Sequence, residues 1–272
     1  MNSKQQLFAL FGNPVEHSLS PLMHNAVFEQ LKIDARYIAL RVENVRDIIV
    51  HMTMLNIEGA SITIPHKTAL MKYLDDITDS SRRIGAVNTI VYSDGNLKGA
   101  NTDWIGLTCA LQESIELAGK TFAILGAGGA ARAVVFGILE EGGIPIIFNR
   151  TTRKGEMVAR DFGCEFNPLE DIGKISADCL INTTSVGLSP DIERSPVSKD
   201  VLPNFAWVMD IIYNPLKTKL LRDAEESGCS IISGHSMFVH QGAEQLKIWM
   251  NVQPPRDLMK KVVLEKLKNE GS

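Results

Sequence analysis

The chain has 272 residues, 44% hydrophobic and 22% charged, with a formal net charge of -4. That length exceeds the usual single domain, so two domains, each with its own core, are expected. The ordinary composition fits a globular protein, and the slight acidity argues against a general nucleic-acid binder or a basic membrane-surface protein. Cys109, Cys164, Cys179 and Cys229 show no C-x-x-C pairing or framework spacing, as fits reduced thiols in a cytoplasm. The start, MNSKQQLFALFGNP, lacks a signal-peptide pattern. The apolar window over 122–139 has the length of a membrane span, but it contains Arg132 and several glycines and divides into strand, turn and helix. A cytoplasmic protein with neither membrane nor nucleic-acid partner is expected.

In chain order, an apolar run over 7–11 predicts a first strand, closed by Gly12-Asn13-Pro14 and followed by a polar loop through His17, Ser18 and Ser20. Ser20 is suited to cap a helix that has Pro21 at its first position, where the missing N–H costs nothing. A strand over 37–42, a helix over 45–55 and a strand over 60–64 follow, the last leading into Pro65-His66-Lys67. This alternation predicts a largely parallel sheet with ligands at its strand ends. A helix through Leu70 and Leu74 and a polar turn lead to apolar runs over 86–92 and 97–100. Asp94-Gly95 between those runs predicts a hairpin. Asn101-Thr102-Asp103 caps a helix reaching about 117, the connector into a second domain.

The stretch over 121–154 carries the clearest pattern. An apolar run over 121–125, the turn Gly126-Ala127-Gly128-Gly129-Ala130-Ala131, a helix over 130–141 and a run over 144–148 make a βαβ unit. In that context Gly126, Gly128 and Ala131 match the G-x-G-x-x-G/A pattern of a dinucleotide site. Gly126 permits the tight turn, Gly128 removes a Cβ that would block a pyrophosphate, and Ala131 lets the helix pack close to the sheet. The free N–H groups and dipole of the helix start attract the pyrophosphate. A turn that only packs a helix onto a sheet would use the same residues.

Where NAD-binding units place a carboxylate on the ribose 2′-hydroxyl, this chain has Asn149-Arg150-Thr151-Thr152-Arg153-Lys154. A carboxylate would repel a 2′-phosphate, whereas these side chains donate hydrogen bonds to it. NADP(H) is the expected cofactor, a solvated basic turn being the alternative. Beyond it, a helix to 162, strands over 179–182 and 207–212, a helix over 216–227, a strand over 230–233 and helices over 236–250 and 256–268 are predicted. No repeat or low-complexity tract interrupts them.

Three segments join small polar or charged side chains to strand ends: Ser18/Ser20, Thr63/Lys67 and Asn88/Asp103. On residue type alone the serines read as caps, Lys67 as a surface lysine and Asp103 as the cap of its helix. Their order along the chain resembles the shikimate dehydrogenase family of aromatic biosynthesis. The residues that carry the resemblance begin with Gly12-Asn13-Pro14 and His17-Ser18-x-Ser20-Pro21-x-x-His24-Asn25. Thr63-x-Pro65-x-Lys67, Gly85-Ala86-x-Asn88-Thr89 and Asn101-Thr102-Asp103 come next. The glycine loop, Asn149-Arg150-Thr151, Asn182-x-Thr184-Ser185-x-Gly187, Asp210-x-x-Tyr213-x-Pro215 and Gln241-Gly242-Ala243 complete it.

The resemblance implies an α/β fold of two domains and the reversible, NADPH-dependent reduction of 3-dehydroshikimate to shikimate. Residues 1–102 plus 238–272 would form the substrate domain and 103–237 a Rossmann-type NADP domain, with the C-terminal helices returning to the first. It further implies that Ser18 and Ser20 bind the substrate carboxylate, that Thr63, Asn88, Asp103 and Gln241 hold ring hydroxyls, and that Tyr213 borders the substrate. Lys67 and Asp103 would be the catalytic pair, also touching substrate; the residues leave open which exchanges the proton. The implied cofactor contacts are Gly126, Ala127, Gly128, Gly129, Ala130, Asn149, Arg150, Thr151, Lys154, Thr184, Ile211 and Gly234. No metal is needed, and a monomer or homodimer is expected. Ser61 departs from the family, which commonly has asparagine there. A relative that also accepts quinate, sometimes with NAD, is the nearest rival; Ser18, Ser20 and the basic turn favour shikimate with NADP. A non-catalytic sensor on the same fold would be marked by loss of Lys67 or Asp103, and both are present.

Overall fold

The computed structural model describes residues 5–270. It divides into two compact units, the chain through Thr102 with Gln241–Lys266, and Asp103–His240 with the residues from Leu267.

The first unit runs β1 (Gln6–Gly12), α1 (Ser20–Gln30), β2 (Ala35–Arg41), α2 (Val45–Met54), β3 (Gly59–Ile62), β4 (Asp76–Ile77), α3 (Asp79–Ile84), β5 (Thr89–Ser93) and β6 (Asn96–Ala100). Its sheet has the order β2-β1-β3-β5-β6-β4. β1 lies parallel to β2 and β3, but β5 enters antiparallel to β3 and to β6. The hairpin between β5 and β6 turns at Asp94 and Gly95 with φ of 53° and 81°. Two positive φ values in succession are what a tight hairpin of this twist requires. The helix expected through Leu70 and Leu74 is a 3-10 helix over Ala69–Tyr73, and β4 and α3 lie where the sequence suggests only a polar turn.

Alternation along β1 sorts its side chains to two faces. Ala9 and Phe11 pack with Ile48 and Met52 of α2, while the ring of Phe8 lies 5.6 Å from that of Phe28 on α1 and 5.3 Å from that of Trp249. Trp249 belongs to α8 (His235–Met250), which is followed by α9 (Arg256–Glu270). The indole N–H donates to the carbonyl of Ile90 at 2.9 Å. A Cβ at Gly59 would stand 2.5 Å from the indole, so only glycine lets the ring settle on the sheet.

Within the second unit, α4 (Asp103–Gln112), β7 (Thr121–Leu125), α5 (Gly129–Glu140), β8 (Ile144–Asn149), α6 (Thr152–Phe162), β9 (Glu165–Pro168), β10 (Ala177–Asn182), β11 (Phe205–Asp210), α7 (Lys219–Glu226) and β12 (Ser230–Ser233) follow one another. Every strand pairing is parallel, in the order β12-β11-β10-β7-β8-β9. The strand order therefore reverses between β7 and β10, the point where doubly wound sheets open a ligand crevice. Residues 122–125 are buried without alternation because helices cover both faces. Phe122 and Ile124 meet Leu107 and Leu111 of α4 and Val134 and Ile138 of α5, whereas Ala123 and Leu125 meet Leu220, Leu221 and Ala224 of α7. Each such aliphatic side chain contributes roughly 1.5–3 kcal/mol by leaving water.

Candidate active site

In the first unit the expected substrate residues gather at the end of the sheet where β1 and β3 stop and β5 begins. The Thr63 N–H donates to the carbonyl of Phe11, and the Asn13 N–H to that of Ile64, both at 2.9 Å. The Val87 N–H donates at 2.9 Å to the carbonyl of Lys67, which ties the lysine loop to the chain entering β5. His66 is buried and its Nε2 lies 3.0 Å from the carbonyl of Val42. Lys67 itself is half-buried.

Ser18 and Ser20 lie at the start of α1 with their hydroxyl oxygens 3.2 Å apart. The expected cap is corrected: Leu19 holds the cap position and Ser20 is the first helical residue. No side chain caps the helix, although the Ser20 N–H donates to the Ser18 Oγ at 3.3 Å. Asn88 is buried, its Nδ2 donating to the Oε1 of Gln241 at 3.4 Å and to the Oγ1 of Thr102 at 3.0 Å. Asp103 opens the second unit, buried as the first residue of α4 and not as its cap. A carboxylate there faces the positive end of the helix dipole. α4 stops at Gln112, short of the predicted 117, although Ile115 and Leu117 remain buried.

The residues expected to hold the cofactor lie on the loops that follow the strands of the second sheet. Gly126 has φ of 118°, and a Cβ on it would stand 2.6 Å from the Thr183 Oγ1. Gly128 precedes α5, and a Cβ there would meet nothing within 4 Å. Packing accordingly explains Gly126 but not Gly128, whose bare backbone is what a pyrophosphate approaching the helix start needs. Ala127, Gly129 and Ala130 complete the loop, each partly exposed. Asn149 ends β8 and donates from Nδ2 to the carbonyl of Thr151 at 2.8 Å. Arg150, Thr151, Arg153 and Lys154 are exposed around the start of α6, whose first turn carries no acidic residue. These residues fit NADP(H): bare N–H groups for the pyrophosphate and cations for a 2′-phosphate.

Thr184 follows β10 and is held by Asn182, whose Oδ1 accepts from its N–H at 3.0 Å and from its hydroxyl at 2.7 Å. Asn182 in turn donates to Asp210 at 3.1 Å. The other Asp210 oxygen accepts from the Thr218 hydroxyl at 2.7 Å, and the Ile212 N–H donates to the first at 3.0 Å. Burial pushes the Asp210 carboxyl up to about 6 against these hydrogen bonds. Asp210 thus joins the loops after β10 and β11, a role that only its closeness to Tyr213 in the sequence hinted at. Ile211 and Gly234 meet backbone to backbone, a Cβ at Gly234 falling 2.3 Å from the Ile211 carbonyl oxygen. Tyr213 stacks on Phe238 with ring centroids 4.2 Å apart. Among the described residues no group of His, Cys, Asp and Glu side chains is arranged to hold a metal ion, and no helix is long and apolar enough to cross a membrane.

A family profile described as "Shikimate dehydrogenase substrate binding domain" matches residues 10–90, and one described as "Shikimate 5'-dehydrogenase C-terminal domain" matches residues 234–264. The shikimate dehydrogenase (NADP(+)) of Pyrococcus abyssi is 40% identical over 264 residues, covering 96% of this chain and 98% of that one. This chain belongs to the shikimate dehydrogenase family. Among solved relatives, a shikimate dehydrogenase crystallised with NADP+ is 39% identical with a TM-score of 0.89, covering 98% of this chain and 97% of that one. The Thermus thermophilus enzyme, crystallised with NADP(H) and shikimate, is 34% identical with a TM-score of 0.87, covering 96% of this chain and 99% of that one. The shikimate dehydrogenase fold accounts for both sheets of this chain, the mixed first and the parallel second.

Proposed function

We propose that this chain catalyses the reversible reduction of 3-dehydroshikimate to shikimate with NADPH. The full-length match to the Pyrococcus abyssi shikimate dehydrogenase (NADP(+)) carries the reading. The bare Gly128 and the basic turn over 150–154 support the choice of cofactor.

When bound, NADPH supplies the hydride, and the chain supplies binding, orientation and the proton. Ser18 and Ser20 present two adjacent hydroxyls to the substrate carboxylate. Thr63, Asn88 and Gln241 hold ring hydroxyls, Tyr213 borders the ring, and Lys67 and Asp103 manage the proton at the oxygen that alternates between ketone and alcohol. In the second unit Gly126–Ala130 receive the pyrophosphate, and Asn149, Arg150, Thr151 and Lys154 the adenosine end with its 2′-phosphate. Thr184, Ile211 and Gly234 would complete the cofactor contacts. The reading carries with it a cytoplasmic enzyme acting on free small molecules as a monomer or homodimer.

Initial rates of shikimate and quinate oxidation, each with NADP+ and with NAD+, test it. Shikimate with NADP+ should give the highest kcat/KM of the four pairs. A higher value for quinate would transfer the reading to the broader relative, and no oxidation of either would end it.

A further inference from the structure

Asn88 lies at the end of a directed chain of hydrogen bonds that begins far from it in sequence. The Tyr37 hydroxyl donates to the Ser61 Oγ at 2.6 Å, and the Ser61 hydroxyl donates to the Gln245 Oε1 at 2.9 Å. From the other end of the same carboxamide, Gln245 Nε2 donates to the Thr89 Oγ1 at 3.1 Å and to the Asn88 carbonyl at 3.2 Å. Thr89 then donates to the Asn88 Oδ1 at 2.7 Å. Tyr37, Ser61, Asn88, Thr89 and Gln245 are all buried. Each hydroxyl or amide both accepts and donates in one direction, so each bond polarises the next.

The consequence falls on the amide of Asn88. Its Oδ1 accepts from Thr89 and, at 2.8 Å, from the Thr102 N–H. A flipped amide would set its NH2 against the fixed Thr102 N–H and against a Thr89 hydroxyl that already accepts from Gln245 Nε2 and so points its proton at Asn88, and buried donors facing donors are strongly disfavoured. The Asn88 Nδ2 is thereby fixed as the group turned toward Gln241.

We propose that Gln245 and Thr89 are positioning residues that lock the Asn88 carboxamide so that it meets a substrate hydroxyl as a donor. This rests on the reading of Asn88 as a substrate ligand. Every residue of the relay belongs to the first unit, so its loss should act on substrate and not on cofactor.

Steady-state constants for Thr89→Val, Thr89→Ser, Gln245→Leu and Asn88→Ala test it. Thr89→Val keeps the side chain's shape and removes its donor; the KM for shikimate should rise about tenfold, with kcat and the KM for NADP+ changed by less than about twofold. Thr89→Ser should restore the shikimate KM, and Gln245→Leu should follow Thr89→Val, carrying the test alone if the valine variant does not fold. If Asn88→Ala raises the shikimate KM while both relay variants leave it at the wild-type value, the relay is overturned and the ligand reading stands. If Asn88→Ala leaves it unchanged, the ligand reading fails and the relay with it. A parallel fall in kcat and rise in both KM values would reduce the relay to a structural role and overturn the proposal.

Discussion

Lys67 is half-buried and its carbonyl is held by the Val87 N–H, so cutting its side chain back to Cβ leaves the supporting backbone in place. Lys67→Ala should lose turnover by on the order of 10² or more while shikimate still binds, as read by single-turnover rates beside equilibrium binding. Unchanged turnover would remove Lys67 from the chemistry. Arg150 is exposed on the turn after β8 and has no packing role to lose. Arg150→Ala should weaken NADP+ by about tenfold and NAD+ hardly at all; equal losses would show that the guanidinium does not meet the 2′-phosphate. At this scale the sequence made residue types and order legible, but not the partners of each side chain. Ser61 could be noticed as a departure, yet its link to Gln245 joins positions far apart in the chain. Ser20 looked like a cap because its residue type and the following Pro21 fit one, whereas Ser18 accepts the N–H and Ser20 is the first helical residue.

The glycine loop separates two reasons for glycine. At Gly126 the backbone itself demands it, with φ of 118° and the Thr183 hydroxyl oxygen where a Cβ would go. Gly126→Ala should cost about 1–3 kcal/mol of stability, seen in urea denaturation. Gly128 has ordinary φ and open space around it. Gly128→Ala should therefore leave stability unchanged and raise the KM for NADP+, and a variant that melts early with a normal KM would refute that division. Periodicity and the glycine pattern made β7, α5 and β8 readable because burial, spacing and turn chemistry agree there. They failed at β9, a four-residue edge strand of Glu-Phe-Asn-Pro with no buried residue, and at the two-residue β4. They also overran the end of α4, since Ile115 and Leu117 are buried in irregular chain beyond it and keep the apolar pattern going.

The buried titrating group of each unit, His24 in the first and Asp210 in the second, answers acid in an opposite sense. His24, wholly buried against Tyr37 with neither ring nitrogen hydrogen-bonded, is pulled down to about 3 by burial, Gln245 opposing weakly from nearby. Below pH 6.5 the unfolded chain takes up a proton that the folded first unit refuses, so that unit loses about 1.4 kcal/mol per pH unit. Asp210, pushed up to about 6 from its usual 3.8, acts the other way. As pH falls through 6 the folded second unit gains a proton before the unfolded chain does, a gain of roughly 3 kcal/mol once pH is below 3.8. Hydrogen exchange corrected for intrinsic rate should show β1–β3 losing protection between pH 7 and pH 5 while β7, β10 and β11 do not, and His24→Phe should flatten the first unit's response. Equal losses in both units would contradict this. Two units were legible from length and motif order, whereas the sense of each titration depends on burial that only the folded chain shows. The same division bears on how the chain is made. Residues 103–240 of the second unit are continuous, but the first unit needs Gln245 to reach Asn88 and Trp249 to cover Gly59. A ribosome delivers those two side chains only after all of 103–240, so the parallel sheet can be shaped while the hydrogen bonds around Asn88 still wait for α8.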